Sequence, residues 1–177
     1  MELIGTKFQG LKILKHKSFI DKRGDLRITF DNKILKKNFV FEYCTTSIKN
    51  SLRGFHFQTK YQQAKYVTVL KGKILDCVID LRKKSKTFGK IYKIILSKKN
   101  QLSLYIPEGF GHAYFSLDKI NIIYYKLTNY YHPKYESGIL AEDKELNIKW
   151  PKGAKLISKK DRNLKTFKEF ISCHKYL

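Results

Sequence analysis

Four short segments of the chain carry the polar residues that could do chemistry. In segment 51–58, His56 and Gln58 stand two residues apart, so they share one face of a strand, and the phenylalanines of the segment point into a core. Arg53 falls on the phenylalanine face of a regular strand, and a bend at Gly54 would bring it round to the side of His56. A half-buried histidine beside a surface arginine is the structural alternative for this segment.

The other three segments each offer one candidate on a predicted strand. Lys65 opens an apolar strand, and His112 follows a turn with two glycines, which can place its imidazole at the mouth of a pocket. In 124–131, strand alternation puts Tyr125 and Leu127 on one face. Each candidate also has an ordinary explanation, because lysine is frequent in this chain, a glycine turn needs no function, and tyrosine is a common strand former.

The spacing of histidines and cysteines argues against a metal centre. His56 and His112 have no HxH or HxxxE spacing around them, so no three-ligand set is visible and we expect no metal. The three cysteines, Cys44, Cys77 and Cys173, are odd in number and share no CxxC spacing. This indicates reduced thiols and not a disulfide framework.

The elements that must position the candidates read as short strands. Runs rich in β-branched and aromatic residues, separated by Gly and Asp turns, predict an antiparallel sandwich or barrel. A hairpin is expected around Gly72, and apolar residues at helical spacing from Asp161 to His174 predict a terminal helix. The predicted strands cover residues 65–70, 74–81, 91–96, 103–106, 112–117 and 120–127.

Length and composition set the broad class of the protein. A chain of 177 residues, of which 42% are apolar, is the size of one domain, 1–177, and can bury a sizeable core. No stretch approaches the ~18 consecutive apolar residues of a membrane span, and residues 1–16 lack the pattern of an export signal. We therefore expect a cytoplasmic protein without a membrane partner.

The net charge is strongly positive, with 37 basic residues against 15 acidic ones and a balance of +22. Nucleic-acid binding is nevertheless not the expected function. Only five of the basic residues are Arg, the side chain that binds phosphates and base edges bidentately, and the lysines are spread from Lys7 to Lys175 without a block. What a positive field does favour is the approach of anionic small molecules such as nucleotides and diphosphates.

A series of short motifs follows in order along the chain. They are Asp21-x-Arg23-Gly24, Leu52-Arg53-Gly54-x-His56-Phe57-Gln58, Lys65, Asp80-Leu81-Arg82-x-x-Ser85-x-Thr87-Phe88-Gly89, Ile106-Pro107-Glu108-Gly109-Phe110-x-His112, Tyr125-Lys126-x-Thr128-Asn129-Tyr130-Tyr131, Ile148-x-Trp150-Pro151 and Ser158-x-Lys160-Asp161. Each motif alone is weak. Together, in this order and at this spacing, they resemble the dTDP-4-dehydrorhamnose 3,5-epimerase family along nearly the whole chain.

The resemblance implies a fold and a reaction. The family fold is all-β, a cupin-type jelly-roll sandwich, here with short flanking helices and a C-terminal helical tail at about 155–177. Its members are usually homodimers, and they act without metal or organic cofactor on a nucleotide-linked 4-keto-6-deoxyhexose, inverting C3, C5 or both. The implied partners are a dTDP- or GDP-linked sugar and a second copy of the chain. The implied pathway is deoxysugar synthesis for a surface polysaccharide, such as lipopolysaccharide or capsule.

The resemblance also implies a role for each candidate. His56 is expected to be the general base, paired with Asp161, and Tyr125 the acid on the opposite face of the sugar. Lys65 is expected beside the C4 oxygen. The implied substrate-binding residues are Arg23 and Arg53 at the diphosphate, Gln58 and His112 near the sugar or phosphates, and Tyr131 in the sugar pocket.

Two segments depart from the family pattern at positions that bind the ligand in the family. After the Arg-Gly pair, where the family carries Phe and then Glu, this chain has Asp-Leu-Arg at 25–27. The next strand usually carries polar residues, where this chain has Phe41, Tyr43 and Thr45. The reaction type is therefore better specified than the substrate. Alternatives are a GDP-linked 4-keto-hexose or 4-keto-heptose, a 3,4-ketoisomerase, and a non-catalytic cupin that binds a sugar nucleotide or nucleic acid.

Overall fold

The computed structural model describes residues 1–153 and 155–173, and its backbone is built mainly from antiparallel strands. In chain order the strands are β1 (Glu2–Gly5), β2 (Lys12–Lys15), β3 (Lys17–Asp21), β4 (Gly24–Ile28), β5 (Phe41–Ile48), β6 (Leu52–Gln58), β7 (Lys65–Lys71), β8 (Lys73–Asp80), β9 (Ile91–Ser97), β10 (Leu102–Ile106), β11 (Phe110–Ser116), β12 (Ile120–Leu127) and β13 (Glu136–Gly138). Six strands form one sheet in the order β1-β2-β10-β7-β12-β5, and five form the other in the order β13-β6-β11-β8-β9. β3 and β4 form a separate hairpin.

The helices are short and lie at the periphery of the sheets. They are α1 (Asn32–Leu35), α2 (Lys159–Arg162) and α3 (Phe167–Cys173), with a 3-10 turn at Pro133–Tyr135. Within the described residues, no helix is long and apolar enough to cross a membrane.

The two sheets pack face to face because residues alternate between the two sides of each strand. On β12, Ile123, Tyr125 and Leu127 are buried between the sheets, whereas Lys126 points outward and pairs with Glu42 at 2.6 Å. The predicted all-β sandwich is confirmed. The core between the sheets also contains Val67, Val69, Ile74, Val78, Leu96, Leu104, Phe110 and Tyr114.

The outer face of each sheet is covered by another part of the chain. Behind β6, Phe57 meets Phe170 of α3 edge to face, with 5.1 Å between the ring centroids. Behind β7, Tyr66 packs against Phe30 and Phe39 in the same manner. β7 is therefore packed on both faces, and β6 is backed on the face that does not look toward the opposite sheet.

The predicted strand positions are confirmed, but the hairpin expected around Gly72 is wrong. β7 pairs with β10 and β12 in one sheet, whereas β8 pairs with β9 and β11 in the other. Gly72 is the corner at which the chain changes sheets. Its φ is 82°, a Cβ there would lie 2.5 Å from Ile120 O, and the next backbone N–H, of Lys73, donates to Asn121 Oδ1. A glycine between two strands occurs both in hairpins and in connections between sheets, so the local sequence does not distinguish these two arrangements.

The single helix expected from Asp161 to His174 is also corrected. Residues 163–166 interrupt it, because Lys165 forms a parallel bridge with Ile139 and its carbonyl accepts from Leu140 N at 2.8 Å. A carbonyl used in this way is not available to a helical hydrogen bond. α2 and α3 therefore form separately, and His174 lies outside the described residues.

The three cysteines are unpaired, as predicted. Cys77 is buried in the core, while Cys44 and Cys173 are exposed. No disulfide therefore contributes to the stability of this fold, which rests on apolar burial and the strand ladders.

A buried histidine lies outside the region of the predicted site, between β2 and its neighbours. His16 Nε2 is 2.6 Å from Ser103 Oγ and 3.3 Å from the hydroxyl of Tyr66. Burial, together with the charges of Arg27 and Lys15, lowers the pKa of His16 from 6.5 to about 4. The folded protein therefore holds this imidazole in its neutral form.

We predict that His16 makes the fold sensitive to acid. Between pH 6.5 and about 4 the unfolded chain binds a proton at this residue that the folded chain does not, so stability is lost as the pH falls through that window. A shift of this size corresponds to about 3 kcal/mol at most. Urea denaturation of wild type and His16→Gln at pH 7 and pH 4.5 measures it. A wild type that loses no more stability than the variant would contradict the prediction.

Candidate active site

A cavity of 660 Å³ lies between the two sheets and is lined by both. β5, β7 and β12 contribute side chains from the six-stranded sheet, and β6, β11 and β13 from the five-stranded sheet, with α2 at the margin. Eight of the nine predicted site residues line this cavity: Arg53, His56, Gln58, Lys65, His112, Tyr125, Tyr131 and Asp161.

Arg53 and His56 reach the same cavity because β6 carries one extra residue. Against β11, His56 pairs with His112 and Arg53 pairs with Tyr114, so three steps on β6 match two on β11. Gly54 permits this irregularity with a φ of 108°, and a Cβ there would lie 2.4 Å from His112 O. The sequence permits a bend at Gly54 without showing one, and the register shift supplies it, since a one-residue shift moves a side chain to the opposite face of a strand.

The imidazole of His56 lies between two carboxylates. Nε2 is 3.2 Å from Asp161 Oδ1, and Nδ1 is 3.6 Å from Glu136 Oε1. Asp161 is held at the start of α2, where its N–H donates to Ser158 Oγ and its Oδ2 accepts from Gly54 N at 3.2 Å. Although burial raises the pKa of the Asp161 carboxyl, the contacts with His56, Gly54 and Ser158 together bring that pKa below its ordinary value. Asp161 is therefore an ionised partner for the histidine.

Two polar side chains hold Glu136 beside His56. Lys160 Nζ is 2.7 Å from Glu136 Oε1, and the hydroxyl of Tyr131 donates to Oε2. Burial raises the pKa of Glu136, but these two contacts together with the histidine lower it below its ordinary value. The site thus contains a second ionised carboxylate.

Lys65 extends from β7 across to the opposite sheet. Its ammonium group donates to the carbonyl of His56 at 3.2 Å, and the residue is 8% exposed. Burial lowers the pKa of Lys65 to about 8, against the opposing charges of Glu136 and Asp76. At neutral pH the cavity therefore holds a desolvated cation that is close to losing its proton.

The phenol of Tyr125 stands on the wall opposite His56, because β12 and β6 belong to different sheets. Tyr43, its cross-strand neighbour, stacks on its ring at 4.8 Å, and the His112 ring meets it edge-on at 5.9 Å. Burial, assisted by Tyr114 and Tyr43, raises the pKa of Tyr125 well above its ordinary value. The phenol therefore remains protonated and can serve as a proton donor.

His112 and Arg53 are both held by side chains on the inner faces of the sheets. His112 Nε2 is 2.8 Å from Asp76 Oδ2, and both residues are buried. Arg53 Nε donates to Ser47 Oγ at 3.1 Å, which holds the guanidinium at the cavity wall. In the part of the chain that the structure describes, no three His, Cys, Asp or Glu side chains are grouped as metal ligands.

The motif at 80–89 supports the turn before His112. Asp80, which has no exposed surface, accepts hydrogen bonds from Arg82, Ser85 and Thr87 at 2.6 to 2.9 Å. The Arg82 guanidinium in turn lies over the Phe110 ring, 4.5 Å from its centroid. This motif therefore has a structural function near the site and no side chain in the cavity lining.

Comparisons with known proteins agree with this geometry. The profile described as dTDP-4-dehydrorhamnose 3,5-epimerase matches residues 5–169. The chain belongs to the dTDP-4-dehydrorhamnose 3,5-epimerase family. The epimerase of that name from Methanothermobacter thermautotrophicus is 38% identical over 174 residues, which cover 94% of each protein.

Solved structures of this epimerase family have the same fold. The Bacillus anthracis enzyme, with TDP and PPi bound, matches with a TM-score of 0.90 at 36% identity and covers 94% of this chain and 99% of its own. The Legionella pneumophila enzyme, in complex with dTDP-4-keto-L-rhamnose, matches with a TM-score of 0.89 at 36% identity over 93% and 92% of the two chains. The fold is thus the expected cupin-type jelly roll, and the protein is a sugar-nucleotide epimerase.

Two residues that the resemblance assigns to substrate binding, Gln58 and Arg23, have other contacts in this structure. Gln58 lines the cavity, but its amide braces the surrounding loops: Nε2 donates to Tyr61 O at 2.7 Å and Oε1 accepts from His132 N at 2.6 Å. Arg23 lies at the exposed turn of the β3–β4 hairpin, paired with Asp21 at 2.7 Å. It lies outside the cavity lined by the described residues of its own chain.

The epimerase site also contains acidic and basic residues that sequence reasoning did not single out. Glu136 lies on the short strand β13, which pairs with β6 so that Glu136 is opposite Gln58. Lys160 belongs to the motif Ser158-x-Lys160-Asp161 but had no expected role, and Asp76 is new. For Asp76 the signal is a carboxylate inside the apolar run 74–81, which indicates a buried partner.

We predict that Gly54→Ala is much more damaging than Gly24→Ala. Both glycines have positive φ, but a Cβ at Gly54 would meet Ala113 Cα at 2.7 Å, whereas a Cβ at Gly24 has no atom within 4 Å. Urea denaturation should show a loss of about 3 kcal/mol or more for the first variant and about 1 kcal/mol for the second. Similar losses in the two variants would show that the contact with β11 is unimportant.

Proposed function

We propose that this protein inverts C3 and C5 of a dTDP-linked 4-keto-6-deoxyglucose through an enolate, with His56 as base, Tyr125 as acid and Lys65 beside the C4 oxygen. The observation that carries the proposal is that an imidazole flanked by carboxylates, a buried phenol and a buried ammonium group line one cavity. The dTDP-sugar found in the Legionella relative supports the choice of substrate.

The chemical difficulty of this reaction is the weak acidity of the carbon acid. A proton next to the C4 ketone lies roughly a dozen pKa units above the conjugate acid of an ordinary histidine, which amounts to about 16 kcal/mol. A base alone cannot overcome this free-energy difference. The enolate oxygen must be met by a positive group in a site that excludes water.

Lys65 is suited to meet the enolate oxygen. Its ammonium group is desolvated, and its hydrogen bond to the His56 carbonyl holds it within reach of the base. In this low-dielectric setting, the attraction between ammonium and enolate is stronger than in water. Lys65 therefore stabilises the intermediate, while His56 takes the proton.

Inversion requires that a proton return to the opposite face of the sugar. His56 and Tyr125 are carried by strands of different sheets, so a sugar between the sheets is approached from both sides. The high pKa of Tyr125 keeps the phenol protonated until the enolate forms. Asp161 stabilises the imidazolium that results from the first transfer.

Arg53, which lines the cavity, is proposed to bind the diphosphate. Arginine forks pair bidentately with phosphate oxygens. Arg23 is proposed to act in a homodimer, with its hairpin reaching the cavity of a second copy. The exposed apolar side chains of that hairpin, Phe19 at 50%, Ile20 at 82% and Leu26 at 63% exposed, support this arrangement.

Of the substrates that the sequence leaves open, the comparisons favour the dTDP-linked hexose over a GDP-linked sugar or a heptose. Of the two reactions, they favour epimerisation over ketoisomerisation. A non-catalytic cupin has no need of the paired proton donors and acceptors in the cavity. We propose a cytoplasmic enzyme that needs no cofactor and supplies deoxysugars for a surface polysaccharide.

Solvent deuterium exchange tests the reaction and its two residues. Wild type in deuterated water should replace the C3 and C5 protons of dTDP-4-keto-6-deoxyglucose, read by proton NMR, whereas His56→Ala should abolish exchange. Tyr125→Phe should reduce net inversion more than the first exchange, because the phenol acts after the enolate has formed.

The matched control is Tyr124→Phe, since Tyr124 lies on the outer face of the same strand and contacts Glu42. This variant should exchange and invert like wild type. A silent wild type would contradict the reaction, exchange in His56→Ala would contradict the base, and equal losses in Tyr125→Phe would contradict the acid. GDP-linked 4-keto sugars, run in parallel, report on nucleotide choice.

We predict that loss of the Lys65 proton causes the alkaline limb of the pH–rate profile. The lysine is a cation below its pKa of about 8 and neutral above it, so kcat/KM should fall as the pH rises through 8. Lys65→Arg should be slower, by about 10- to 100-fold, but should show no fall near pH 8, because arginine stays charged. A wild-type profile flat to pH 9.5, or an unchanged fall in the variant, would contradict this role.

A further inference from the structure

We propose that Tyr43 is a positioning residue for the acid: its ring holds the ring of Tyr125 in place by stacking, which leaves the hydroxyl of Tyr125 free to face the sugar. For its effect on the reaction, this inference rests on the proposed function. The dependence of the Tyr125 ring on Tyr43 stands on the geometry of the two rings and needs no activity.

The hydroxyl groups of two buried tyrosines in the cavity wall are held differently. That of Tyr114 lies 3.1 Å from Thr45 Oγ1 and 2.9 Å from Ser47 Oγ, so hydrogen bonds fix it. The hydroxyl of Tyr125 makes no hydrogen bond to another residue that the structure describes. A phenol tied to the protein would have to break that bond before it could protonate a carbon. The free hydroxyl therefore suits a proton donor, and it leaves the position of the phenol to the contacts of the ring.

Two neighbouring rings set the position of the Tyr125 ring. Tyr43, the residue opposite it on β5, stacks on its face with 4.8 Å between the centroids and 23° between the planes. His112 meets the ring edge-on at 5.9 Å and is itself held by Asp76 at 2.8 Å. Tyr43 is 38% exposed and Tyr125 only 3%, so Tyr43 forms the outer layer of the stack. Removal of the Tyr43 ring would therefore uncover one face of the acid.

Tyr43 stands on a strand where the family usually carries polar residues, so the stack is a feature of this chain. Offset parallel rings attract each other beyond the effect of area burial. A reacting group displaced by about 1 Å can lose roughly 100-fold in rate, so a contact of this kind is enough to matter at the acid. The base, His56, is carried by the opposite sheet. Loss of the stack should therefore slow the return of the proton and spare its removal.

The first experiment tests the stack without reference to activity. Proton and carbon NMR of protein labelled on its tyrosine rings, with the Tyr125 signals assigned by the spectrum of Tyr125→Phe, reports on the ring that lies over Tyr125. The ring current of Tyr43 should shift the Tyr125 ring protons upfield in wild type and in Tyr43→Phe, and the shift should be lost in Tyr43→Leu. The signals of the other tyrosines show that each variant is folded. Tyr125 signals that are the same in Tyr43→Leu and Tyr43→Phe overturn the proposal, whether or not the protein is an epimerase.

The second experiment compares net inversion of dTDP-4-keto-6-deoxyglucose with the first deuterium exchange. Tyr43→Leu should lower the rate of inversion by about 10-fold and the rate of exchange by less than about 2-fold, because the base is undisturbed. Tyr43→Phe keeps the ring and should invert like wild type. Equal losses of inversion and exchange in Tyr43→Leu, or a loss in Tyr43→Phe as large as in Tyr43→Leu, would show that Tyr43 serves substrate binding or acts through its own hydroxyl, and would overturn the proposal.

A double-mutant cycle tests whether Tyr43 acts through Tyr125. In Tyr125→Phe the ring remains but the proton donor is gone, so the position of that ring no longer affects the return of the proton. Tyr43→Leu should therefore cause no further loss of the residual inversion when it is added to Tyr125→Phe. Two losses that multiply would mean that the residues act independently, and would contradict a positioning role.

Tyr61→Leu is the matched control. Tyr61 also stacks on an aromatic ring, that of His132 at 4.6 Å, but neither residue belongs to the described lining of the cavity. This variant should leave the Tyr125 signals, inversion and exchange as in wild type, and a loss of inversion equal to that of Tyr43→Leu would overturn the specific role of Tyr43. A silent wild type would instead count against the proposed function, and the NMR comparison would still decide whether Tyr43 holds the ring of Tyr125.

Discussion

The extra residue in β6 is the constraint on which the site depends. A regular strand sends residues 53 and 56 to opposite faces, one toward the Phe57–Phe170 core and the other toward the cavity. The irregularity at Gly54 turns both inward, and its close contact with the backbone of β11 at His112 and Ala113 leaves no room for a side chain at that glycine. The same glycine N–H donates to Asp161, so one position shapes the strand and anchors the carboxylate beside the base.

The second organising feature is the separation of charge inside the cavity. The chain carries a net charge of +22, yet three of its few acidic side chains, Asp76, Glu136 and Asp161, surround the two histidines of the site. Buried ionised groups are stable only when they are paired and hydrogen-bonded. The ionised carboxylates of Asp161 and Glu136 have such partners, and Asp76 pairs with His112 through Oδ2. The excess positive charge is therefore left for the surface and the cavity margin, where an anionic nucleotide arrives.

The jelly-roll topology explains why the catalytic groups can face one another. Because the chain changes sheets at Gly72, β7 and β8 belong to opposite walls, and Lys65 reaches across from one wall to the carbonyl of His56 on the other. A hairpin at Gly72 would keep both strands in one sheet. The local signals of the two arrangements are the same, and the difference lies in long-range pairing with β10, β11 and β12. The single terminal helix that residue spacing predicts is interrupted for a related reason, since Lys165 bonds to a segment about 25 residues away.

By itself, the sequence determined the six strands between residues 65 and 127, the faces of His56, Gln58 and Tyr125, and, through the order of its motifs along the chain, the family. The strands and faces depend on neighbours two to ten residues away, which strand periodicity and turn chemistry record directly. Only the tertiary structure decided that Glu136 and Lys160 join His56, that Gln58 braces loops, and that Arg23 stands apart from the cavity of its own chain. These depend on contacts between distant segments, because β13 and α2 reach β6 through the packing of the whole sandwich and no local pattern encodes that approach.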